Sequence, residues 1–211
     1  MSVDHTKNVI TVENVSFAYG SRLVLESVTL NIHQGDYLAL VGPNGAGKTT
    51  LLKLMLGLLR PSAGRVTVFG EEPGRARQRG RVSYLAQQAG NADAGFPVTV
   101  YDVAAMGRYG LAGLGRPLRE ADRQAIMGAL ERAGIADNKD RLIGELSGGQ
   151  QQRAFLARAL AAEPEIVFLD EPARGLDPAG QDELYALIRR LNSEGLTVVL
   201  VSHDLERVTK E

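Results

Sequence analysis

The order of hydrophobic and polar positions predicts that strands and helices alternate along the chain. Val28, Leu30 and Ile32 alternate with polar residues, which is typical of a half-buried antiparallel strand. Short and almost wholly apolar runs, such as 37–41 and 196–201, are typical of fully buried strands. The predicted strands are 10–19, 23–32, 37–41, 65–70, 82–86, 167–172 and 196–201. Strands that alternate with helices indicate an α/β fold.

Helical spacing dominates the middle of the chain, where residues 89–161 contain almost no β-like pattern. The helices predicted there span about 99–107, 119–134 and 148–162. A further helix is predicted around Leu184–Leu191, where apolar residues recur at the spacing of one helix face. The sequence therefore predicts an α/β core formed by residues 1–88 and 162–211, with an all-helical subdomain inserted at 89–161.

Composition places the chain among ordinary globular proteins. Of its 211 residues 44% are hydrophobic and 23% are charged, the formal net charge is −1, and the pI is about 6.3. This balance argues against nucleic acid or an anionic lipid surface as the main partner. Residues 71–80 are predicted to form a charged loop, whose arginines are interpreted as a solvated face and not as a binding patch. They are Arg75, Arg77, Arg79 and the adjoining Arg81.

Several classes of protein are excluded by what the sequence lacks. It has no cysteine, so a disulfide scaffold and thiolate metal sites are excluded. Its first residues have no apolar core of a secretory signal, and the apolar run at Leu196–Val201 is far too short to cross a bilayer. His5 and His33 have no partners at ligand spacing and are interpreted as surface residues. Any role at a membrane is therefore expected to be performed from the aqueous side.

A glycine-rich segment carries the strongest chemical signal. Residues 42–49 fit the pattern G-x-x-x-x-G-K-[ST], in which glycines let several backbone N–H groups point at one anion. The lysine adds a charge for the β- and γ-phosphates, and the hydroxyl that follows is a hard oxygen ligand for Mg²⁺. A predicted buried strand precedes the segment and a predicted helix follows it, so the helix N-terminus would face the phosphates. The segment is predicted to bind a nucleoside triphosphate through Gly42, Pro43, Asn44, Gly45, Ala46, Gly47, Lys48, Thr49 and Thr50.

A second segment, Leu146-Ser147-Gly148-Gly149-Gln150, opens the last helix of the middle part. Ser147 is a good N-cap residue, and the two glycines leave backbone N–H groups uncovered at a helix N-terminus. An ordinary capped helix start would explain the serine but not the two glycines.

With this segment the chain resembles the ATP-binding cassette (ABC) family. The phosphate loop, the Leu-Ser-Gly-Gly-Gln signature, the apolar strand ending in Asp170-Glu171-Pro172 and a later histidine occur in the family's order over residues 9–207. The resemblance implies the ABC ATPase fold, which has a P-loop NTPase core with a mixed sheet and flanking helices. It also implies an N-terminal antiparallel β subdomain, an inserted all-helical subdomain, and hydrolysis of ATP with Mg²⁺ coupled to membrane transport.

The resemblance assigns catalytic and metal-binding roles around the γ-phosphate. Asp170 would hold Mg²⁺ together with Thr49, and Glu171 would align and deprotonate the attacking water. Because neighbouring strand residues point to opposite faces, the two acids are expected to act on different groups. A free glutamate is a weak base, so the role of Glu171 is mostly orientation. His203 resembles the histidine that contacts the γ-phosphate, which Lys48 also approaches.

Three further residues are assigned by the same resemblance. Gln87 resembles the glutamine that touches Mg²⁺ and water and that links the core to the helical insertion, with Gln88 as the alternative. Tyr19 would be a packing residue from its local pattern alone, but it resembles the aromatic residue that stacks on adenine. Asp177, in Gly175-Leu176-Asp177, matches the loop that crosses to a second subunit.

The resemblance also implies partners. In this family the signature caps ATP held by another chain, so Ser147, Gly148, Gly149 and Gln150 would bind a nucleotide on a second ATPase subunit. That subunit is expected to be a second copy in a homodimer, or a related chain in a heterodimer. The other implied partners are a polytopic membrane permease and, indirectly, an extracellular or periplasmic substrate-binding protein. The expected location is peripheral, on the cytoplasmic face of the inner membrane, with no nucleic-acid partner.

Residues 88–118 are predicted to form the docking surface for the permease. The predicted loop there interleaves glycines with large apolar residues, a combination that suits an adaptable groove. The alternative is that Tyr109 and Leu111 pack on the helices of the insertion. The interleaved residues are Met106, Gly107, Tyr109, Gly110, Leu111, Gly113, Leu114 and Gly115.

The middle part indicates a subfamily. Gly95–Val100 and Met106–Gly110 resemble the ATPases of zinc- and manganese-type metal importers, with iron-siderophore and cobalamin importers as the close alternative. A soluble ABC ATPase of translation or DNA repair is a second class, but those proteins carry two cassettes or long coiled-coil insertions. A P-loop kinase is a third class, and the signature argues against it. The ATPase does not touch the cargo, so the sequence does not identify the metal.

The chain departs from the family pattern at three points. Ala86 stands where proline is common, and Arg174 stands where a small or apolar residue is usual. The sequence stops at Glu211, before the further strands and helix that family members usually have, so a short or truncated C-terminal end is expected.

Overall fold

The computed structural model describes residues 7–86, 97–113 and 116–204. Its strands are β1 (Asn8–Tyr19), β2 (Arg22–His33), β3 (Tyr37–Val41), β4 (Ala63–Val68), β5 (Val82–Leu85), β6 (Ile166–Asp170) and β7 (Thr197–Ser202). Its α-helices are α1 (Lys48–Met55), α2 (Pro73–Gln78), α3 (Val100–Ala112), α4 (Glu120–Arg132), α5 (Gly148–Leu160) and α6 (Pro178–Ser193). Single 3₁₀ turns lie at Ala136–Asn138 and Ile143–Glu145. The predicted strands are all present, with ends that differ by a few residues.

The strands form two sheets. An antiparallel sheet has the order β2-β1-β4, and a parallel sheet has the order β3-β7-β6-β5. In the antiparallel sheet Val12 pairs with Leu30 and Val15 pairs with Val28, so the alternating strand predicted from the sequence is confirmed. The combination of parallel and antiparallel pairing expected for an α/β fold is therefore present, and it is divided between the two sheets.

Strand β6 separates two hydrophobic clusters. Ile166 and Phe168 belong to the cluster shared with α1 and the antiparallel sheet, whereas Val167 and Leu169 belong to the cluster shared with α3, α4, α5 and α6. Successive side chains of a strand point to opposite faces, so one strand contributes to both clusters. Because both faces of the parallel sheet are covered, its central strands are apolar without alternation.

Two segments predicted as loops contain helix. Residues 71–80 include α2, which begins at Pro73, and the fixed φ angle of proline suits the first position of a helix. Helix α3 continues to Ala112 instead of ending near 107, so the prediction that Gly107 and Gly110 lie in a loop is wrong. An added Cβ at Gly107 would collide with the carbonyl oxygen of Arg158 in α5. Glycine is therefore needed at that position for the close approach of two helices.

The arginines near α2 do not all belong to a solvated face. Arg75, Arg77 and Arg79 are exposed, as predicted. Arg81 is only partly exposed, and its guanidinium group pairs with Glu165 and lies 3.5 Å from the centroid of the Phe69 ring. The interpretation of Arg81 as a solvated residue is wrong, because its side chain joins the start of β5 to the segment before β6.

Arg108, in the Gly-Arg segment of α3, holds the helices of the middle part together. Its Nε donates to Asp122 Oδ1 in α4 at 2.7 Å, and its Nη1 donates to Glu163 Oε2 at 2.9 Å and to the Ala161 carbonyl oxygen at 3.3 Å. Its side chain is largely buried, so these contacts leave a paired charge in the interior. Within the ranges described, no helix is long and apolar enough to cross a membrane.

Candidate functional site

The phosphate-loop segment connects β3 to α1 at the carboxyl end of the parallel sheet. Gly47 is the residue before α1 and has a φ angle of +85°, a left-handed conformation that glycine adopts without strain. An added Cβ there would lie 2.8 Å from Leu25 Cδ2, so β2 also leaves no room for a side chain. The glycine of the sequence pattern is thus required both by the turn and by the packing against β2.

Lys48 is the first residue of α1, and its ammonium group lies over the loop. Its Nζ donates to the carbonyl oxygens of Gly42 at 2.7 Å and Pro43 at 2.9 Å. The same loop presents the N-terminus of α1, where backbone N–H groups have no partner within the helix. A positive charge and uncovered donors therefore converge on one point, an arrangement that suits an anion.

Asp170 lies at the end of β6, beneath the loop, and is 3% exposed. Thr49 Oγ1 donates to its Oδ1 at 3.3 Å, and the hydroxyl of Tyr84 in β5 donates to its Oδ2 at 3.4 Å. Burial raises the pKa of the Asp170 carboxyl, and the hydrogen bond from Thr49 acts against that shift. Burial, followed by the charge of Asp170, raises the pKa of the Tyr84 hydroxyl to about 12, so the hydroxyl remains a donor at neutral pH.

The oxygen donors at this point fit Mg²⁺. One carboxylate and one hydroxyl are a small set of hard ligands, and Mg²⁺ in phosphate sites takes its other ligands from water and phosphate. Among the described residues no group of three or more His, Cys, Asp and Glu could hold a metal ion. Asp170 and Thr49 are compatible with a metal that takes further ligands from phosphate and water.

Glu171 follows Asp170 but has left the strand. Its φ angle is +48°, so the expected reason for its different direction, alternation within a strand, is wrong. The two acids still contact different groups, as predicted, because the chain turns between them. Glu171 Oε1 lies 3.7 Å from His203 Nδ1, and Glu171 Oε2 lies 3.6 Å from Arg174 Nη1.

His203 follows β7, the strand next to β6, and reaches the same opening beside Glu171. Its side chain is 63% exposed and faces the carboxylate of Glu171. His33 lies elsewhere, with its Nδ1 3.3 Å from Asp36 Oδ2, which agrees with its interpretation as a surface residue. His5 lies outside the described residues, as do Gln87 and Gln88, so the structure does not bear on the choice between the two glutamines.

Tyr19 stands at the end of β1, at the mouth of the opening. Its side chain is 50% exposed, and its ring makes an edge contact with the ring of Phe17 at 4.8 Å between centroids. A residue that served only packing would be expected to lie deeper. The remaining face of the ring is available to a planar ligand.

These residues enclose one cleft of about 1180 Å³. Residues from five separate parts of the sequence meet there, at 19–24, 42–50, 171–175, 181–185 and 202–204, whereas Asp170 lies below it and contacts it through Thr49. The predicted site residues that line the cleft are Tyr19, Gly42, Pro43, Asn44, Gly45, Gly47, Lys48, Thr49, Thr50, Glu171 and His203. Ala46 lies within the loop, where its N–H donates to the Pro43 carbonyl oxygen at 3.3 Å.

The signature residues lie in a different place. Ser147, Gly148, Gly149, Gln150 and Asp177 line a second groove of about 540 Å³, formed by the N-termini of α5 and α6. Ser147 Oγ accepts from the backbone N–H of Gln150, and Gln150 Oε1 accepts from the backbone N–H of Ser147, which forms a capping box. Asp177 Oδ1 caps α6 by accepting from Gly180 N–H at 3.2 Å. None of these residues lines the cleft.

Sequence reasoning missed several residues of the cleft and its floor, three of which have a clear place in the structure. Tyr84 binds Asp170, Tyr185 of α6 lines the cleft from below, and Arg22 of β2 lines it beside Tyr19. Of these three, only Tyr84 had a sequence signal, since it lies in a predicted strand three positions before Gln87. The other two come from segments whose local pattern indicates packing or exposure alone.

Comparison with known proteins identifies the family. The sequence profile of the ABC transporter family matches residues 25–174. The manganese transport system ATP-binding protein MntA of Synechocystis sp. is 44% identical over 201 residues, covering 95% of this chain and 77% of that protein. The zinc uptake system ATP-binding protein ZurA of Listeria innocua is 41% identical over 201 residues, covering 95% of this chain and 78% of that protein. The solved structure of cbiO1 from Clostridium perfringens, part of the ABC transporter complex cbiONQ, matches with a TM-score of 0.80 and 31% identity over 94% of this chain and 79% of that one. This chain belongs to the ABC transporter family.

Proposed function

We propose that this chain is the ATP-hydrolysing subunit of a transporter that imports a transition-metal ion, of the zinc or manganese type. Membership of the ABC transporter family implies ATP binding and hydrolysis. The observation that carries the proposal is the convergence of Lys48, Thr49, Glu171 and His203 on one cleft. That cleft combines an anion site, a place for Mg²⁺ and a carboxylate able to orient water.

In this proposal the nucleotide binds with its phosphates on the loop and its base on Tyr19. Backbone N–H groups of the loop 42–50 and the ammonium group of Lys48 hold the phosphates, since the loop and Lys48 both line the cleft. The half-exposed ring of Tyr19 stacks on adenine, which adds a contact independent of the phosphates. Thr50 lines the base of the loop from the first turn of α1.

Hydrolysis is assigned to the residues beside the loop. Thr49 and Asp170, together with Gln87 from outside the described residues, would hold Mg²⁺, which neutralises charge on the phosphates when bound. Glu171 accepts a hydrogen bond from the attacking water and orients it. His203, whose Nδ1 lies 3.7 Å from Glu171 Oε1, contacts the γ-phosphate.

The second groove is the basis for proposing a dimer of ATPase subunits. Ser147, Gly148, Gly149, Gln150 and Asp177 bind the nucleotide held by a second ATPase subunit, which is another copy of this chain or a related one. Two features support this assignment: the signature residues line the groove and not the cleft, which borders the groove at Gly175, and the groove is formed by two helix N-termini, which favour anions. A single chain would leave each half of the site without its complement.

The helical part is proposed to act as the subdomain that binds a polytopic permease. Met106 is 40% exposed and Tyr109 is 49% exposed on α3, which favours a docking surface over packing within the insertion. Helix α3 therefore replaces the loop that the sequence predicted as the carrier of these side chains. Gly95, Phe96, Leu114 and Gly115 of the predicted surface lie outside the described residues. The boundaries 1–88, 89–161 and 162–211, the peripheral location on the cytoplasmic face and the substrate-binding protein remain part of this proposal.

The relatives are named for metal transport, which favours a metal ion over the other transported substrates considered. Relatives named for manganese and zinc transport are 41–44% identical over nearly the whole chain. The alternative cargo is an iron-siderophore or cobalamin, and the test compares its uptake with the uptake of zinc and manganese. A soluble ATPase of translation or DNA repair would bind ribosomes or DNA and no permease.

The test identifies the membrane partner of the chain and the substrate that is transported. The tagged chain is purified from membranes of its own cells, and the uptake of radioactive zinc and manganese is measured in cells that carry either the wild-type chain or Glu171→Gln. The proposal expects a co-purifying polytopic permease and loss of metal uptake in the variant, with unchanged uptake of cobalamin and siderophore iron. Co-purifying ribosomes, or loss of cobalamin uptake alone, would contradict it.

A further inference from the structure

A buried hydroxyl pair anchors the backbone on both sides of His203. Tyr185 Oη of α6 lies 3.1 Å from Ser202 Oγ at the end of β7, and these residues are 3% and 2% exposed. The backbone N–H of Asp204 donates to the same Ser202 Oγ at 3.0 Å. Residue 202 before the histidine and residue 204 after it are therefore fastened to one oxygen.

The hydrogen-bond capacity of Ser202 explains why Tyr185 matters there. A serine hydroxyl has one proton and two lone pairs, and the Asp204 N–H uses one lone pair. The remaining proton or lone pair is taken by the Tyr185 hydroxyl, and both residues are almost fully buried at the floor of the cleft. Buried polar groups are costly to leave without a partner, so this bond holds Ser202 in one orientation.

The hydrogen bonds of Ser202 hold the chain beyond the point where strand pairing ends. Ser202 is the last residue of β7 and pairs with Val41, so strand pairing holds the chain up to that point. The His203 side chain is 63% exposed and is not confined by packing. Its direction towards Glu171, 3.7 Å away, depends on the conformation of the turn 202–204.

We propose that Tyr185 is a positioning residue for His203. The Tyr185 hydroxyl holds Ser202 and, through Ser202, the turn that ends at Asp204, and this turn directs the imidazole of His203 into the cleft. The inference rests on the proposed function only for its effect on hydrolysis. The positioning itself is a property of the free protein and is tested without nucleotide.

The chain has three histidines, so their ring signals are observable one by one. The protein is labelled with ¹⁵N-histidine, and the ring signal of His203 is identified by its absence in His203→Ala. Tyr185→Phe keeps the ring and removes only the hydroxyl. The expected result is a shifted or broadened His203 signal with an unchanged His33 signal, and an unchanged His203 signal would overturn the inference.

Tyr37 provides a matched control. Its hydroxyl is buried and has no hydrogen-bond partner among the described residues, and its ring packs on the same hydrophobic cluster as Tyr185. Tyr37→Phe therefore removes a hydroxyl from the same cluster without removing a bond. The His203 signal should be unchanged in this variant, and an equal shift in both variants would overturn the assignment to Tyr185.

Kinetics and a second pair of variants complete the test. Turnover (kcat) of Tyr185→Phe should fall about three- to tenfold, the size expected for one hydrogen bond, with little change in KM for ATP. In a His203→Ala background Tyr185→Phe should cause no further loss of turnover, and an equal loss there would overturn the inference.

Two variants of Ser202 keep the test decisive if Tyr185→Phe folds poorly. Ser202→Ala should lower turnover as Tyr185→Phe does, whereas Ser202→Thr, which keeps a hydroxyl, should leave turnover unchanged. Wild-type turnover of His203→Ala would instead contradict the role proposed for His203 in hydrolysis.

Discussion

The cleft and the signature groove are both built at helix N-termini, but they differ in the charged groups that they present. In the cleft, Lys48 and His203 point into the opening together with Glu171. In the groove, Arg153 pairs with Glu183 at 2.8 Å, and Asp177 is used as the cap of α6. The charged side chains of the groove are thus engaged within the protein, and what remains is shape and backbone donors. The cleft is suited to chemistry and the groove to completing a cleft on another chain.

The two regions also differ in how firmly they are held. The cleft is supported by Asp170 and Ser202, which are buried and lie at the ends of the two central strands of the parallel sheet. The groove is supported at the surface by one capping box, at Ser147, and by the N-cap hydrogen bond of Asp177, and an N-cap contributes about 1 kcal/mol of helix stability. A site that must align water needs the rigid support of the sheet, whereas a surface that docks on a partner does not.

Ser147→Arg gives the largest expected effect and tests whether the groove completes another chain's cleft. The long charged side chain fills the groove, so hydrolysis should be abolished, while ATP binding to the single chain, measured by calorimetry, should be unchanged. Mixing this variant with Lys48→Ala should restore part of the activity, because one interface of the mixed dimer then carries neither change. Ser147→Thr keeps the capping hydroxyl and should stay active. Absence of recovery in demonstrated mixed dimers would contradict the shared site.

Glu171→Gln tests the chemistry of the cleft. The amide keeps the size of the side chain and loses the charge that orients water, so turnover should fall by a factor on the order of 10² or more. Lys48, Thr49 and Asp170 are unchanged, so Mg·ATP should still bind and the nucleotide-bound dimer should last longer on size-exclusion chromatography. Near-normal turnover in the purified variant would exclude Glu171 as the water-orienting acid.

Tyr19→Ala tests the mouth of the cleft. If the half-exposed ring stacks on adenine, the loss should weaken ATP binding by about 1–3 kcal/mol, and Tyr19→Phe should be nearly silent. Binding is measured by titration calorimetry, and the melting temperature is measured without nucleotide. A large fall in melting temperature with unchanged ATP affinity would instead indicate a packing residue.

Tyr84→Phe gives the smallest expected effect and tests the support below the cleft. Its hydroxyl bonds Asp170 Oδ2 at 3.4 Å, a bond that favours the ionised carboxylate. Without it, the Mg²⁺ concentration for half-maximal hydrolysis should rise about two- to fivefold, as expected for one weak hydrogen bond. Tyr37→Phe is the matched control, because the Tyr37 hydroxyl has no hydrogen-bond partner within the part of the chain that the structure describes. An Mg²⁺ dependence that is identical in both variants would mean that Tyr84 does not support the metal site.

Sequence reasoning succeeded where short-range pattern decides structure. The strand 166–170 was recognisable because a buried parallel strand is apolar throughout, and the loop 42–47 was recognisable because its glycines and lysine have few other uses. It failed at α2 and at the end of α3. Glycine lowers helix propensity at the end of α3, where contacts with other segments outweigh the propensity, and in α2 the proline lies at the first helical position, where it does not interrupt the helix.

Residues near each other in sequence determined the strand and helix periods, the phosphate-binding loop, the caps at Ser147 and Asp177, and the family. Each depends on the local chain, so each can be read from a window of about ten to twenty residues. Only the tertiary structure decided that Gly107 lies against the Arg158 carbonyl group, that Glu171 faces His203, and that Tyr185 holds Ser202. Those contacts join segments far apart in the chain, and their distances follow from how the helices pack on the two faces of the sheet, which no local pattern encodes.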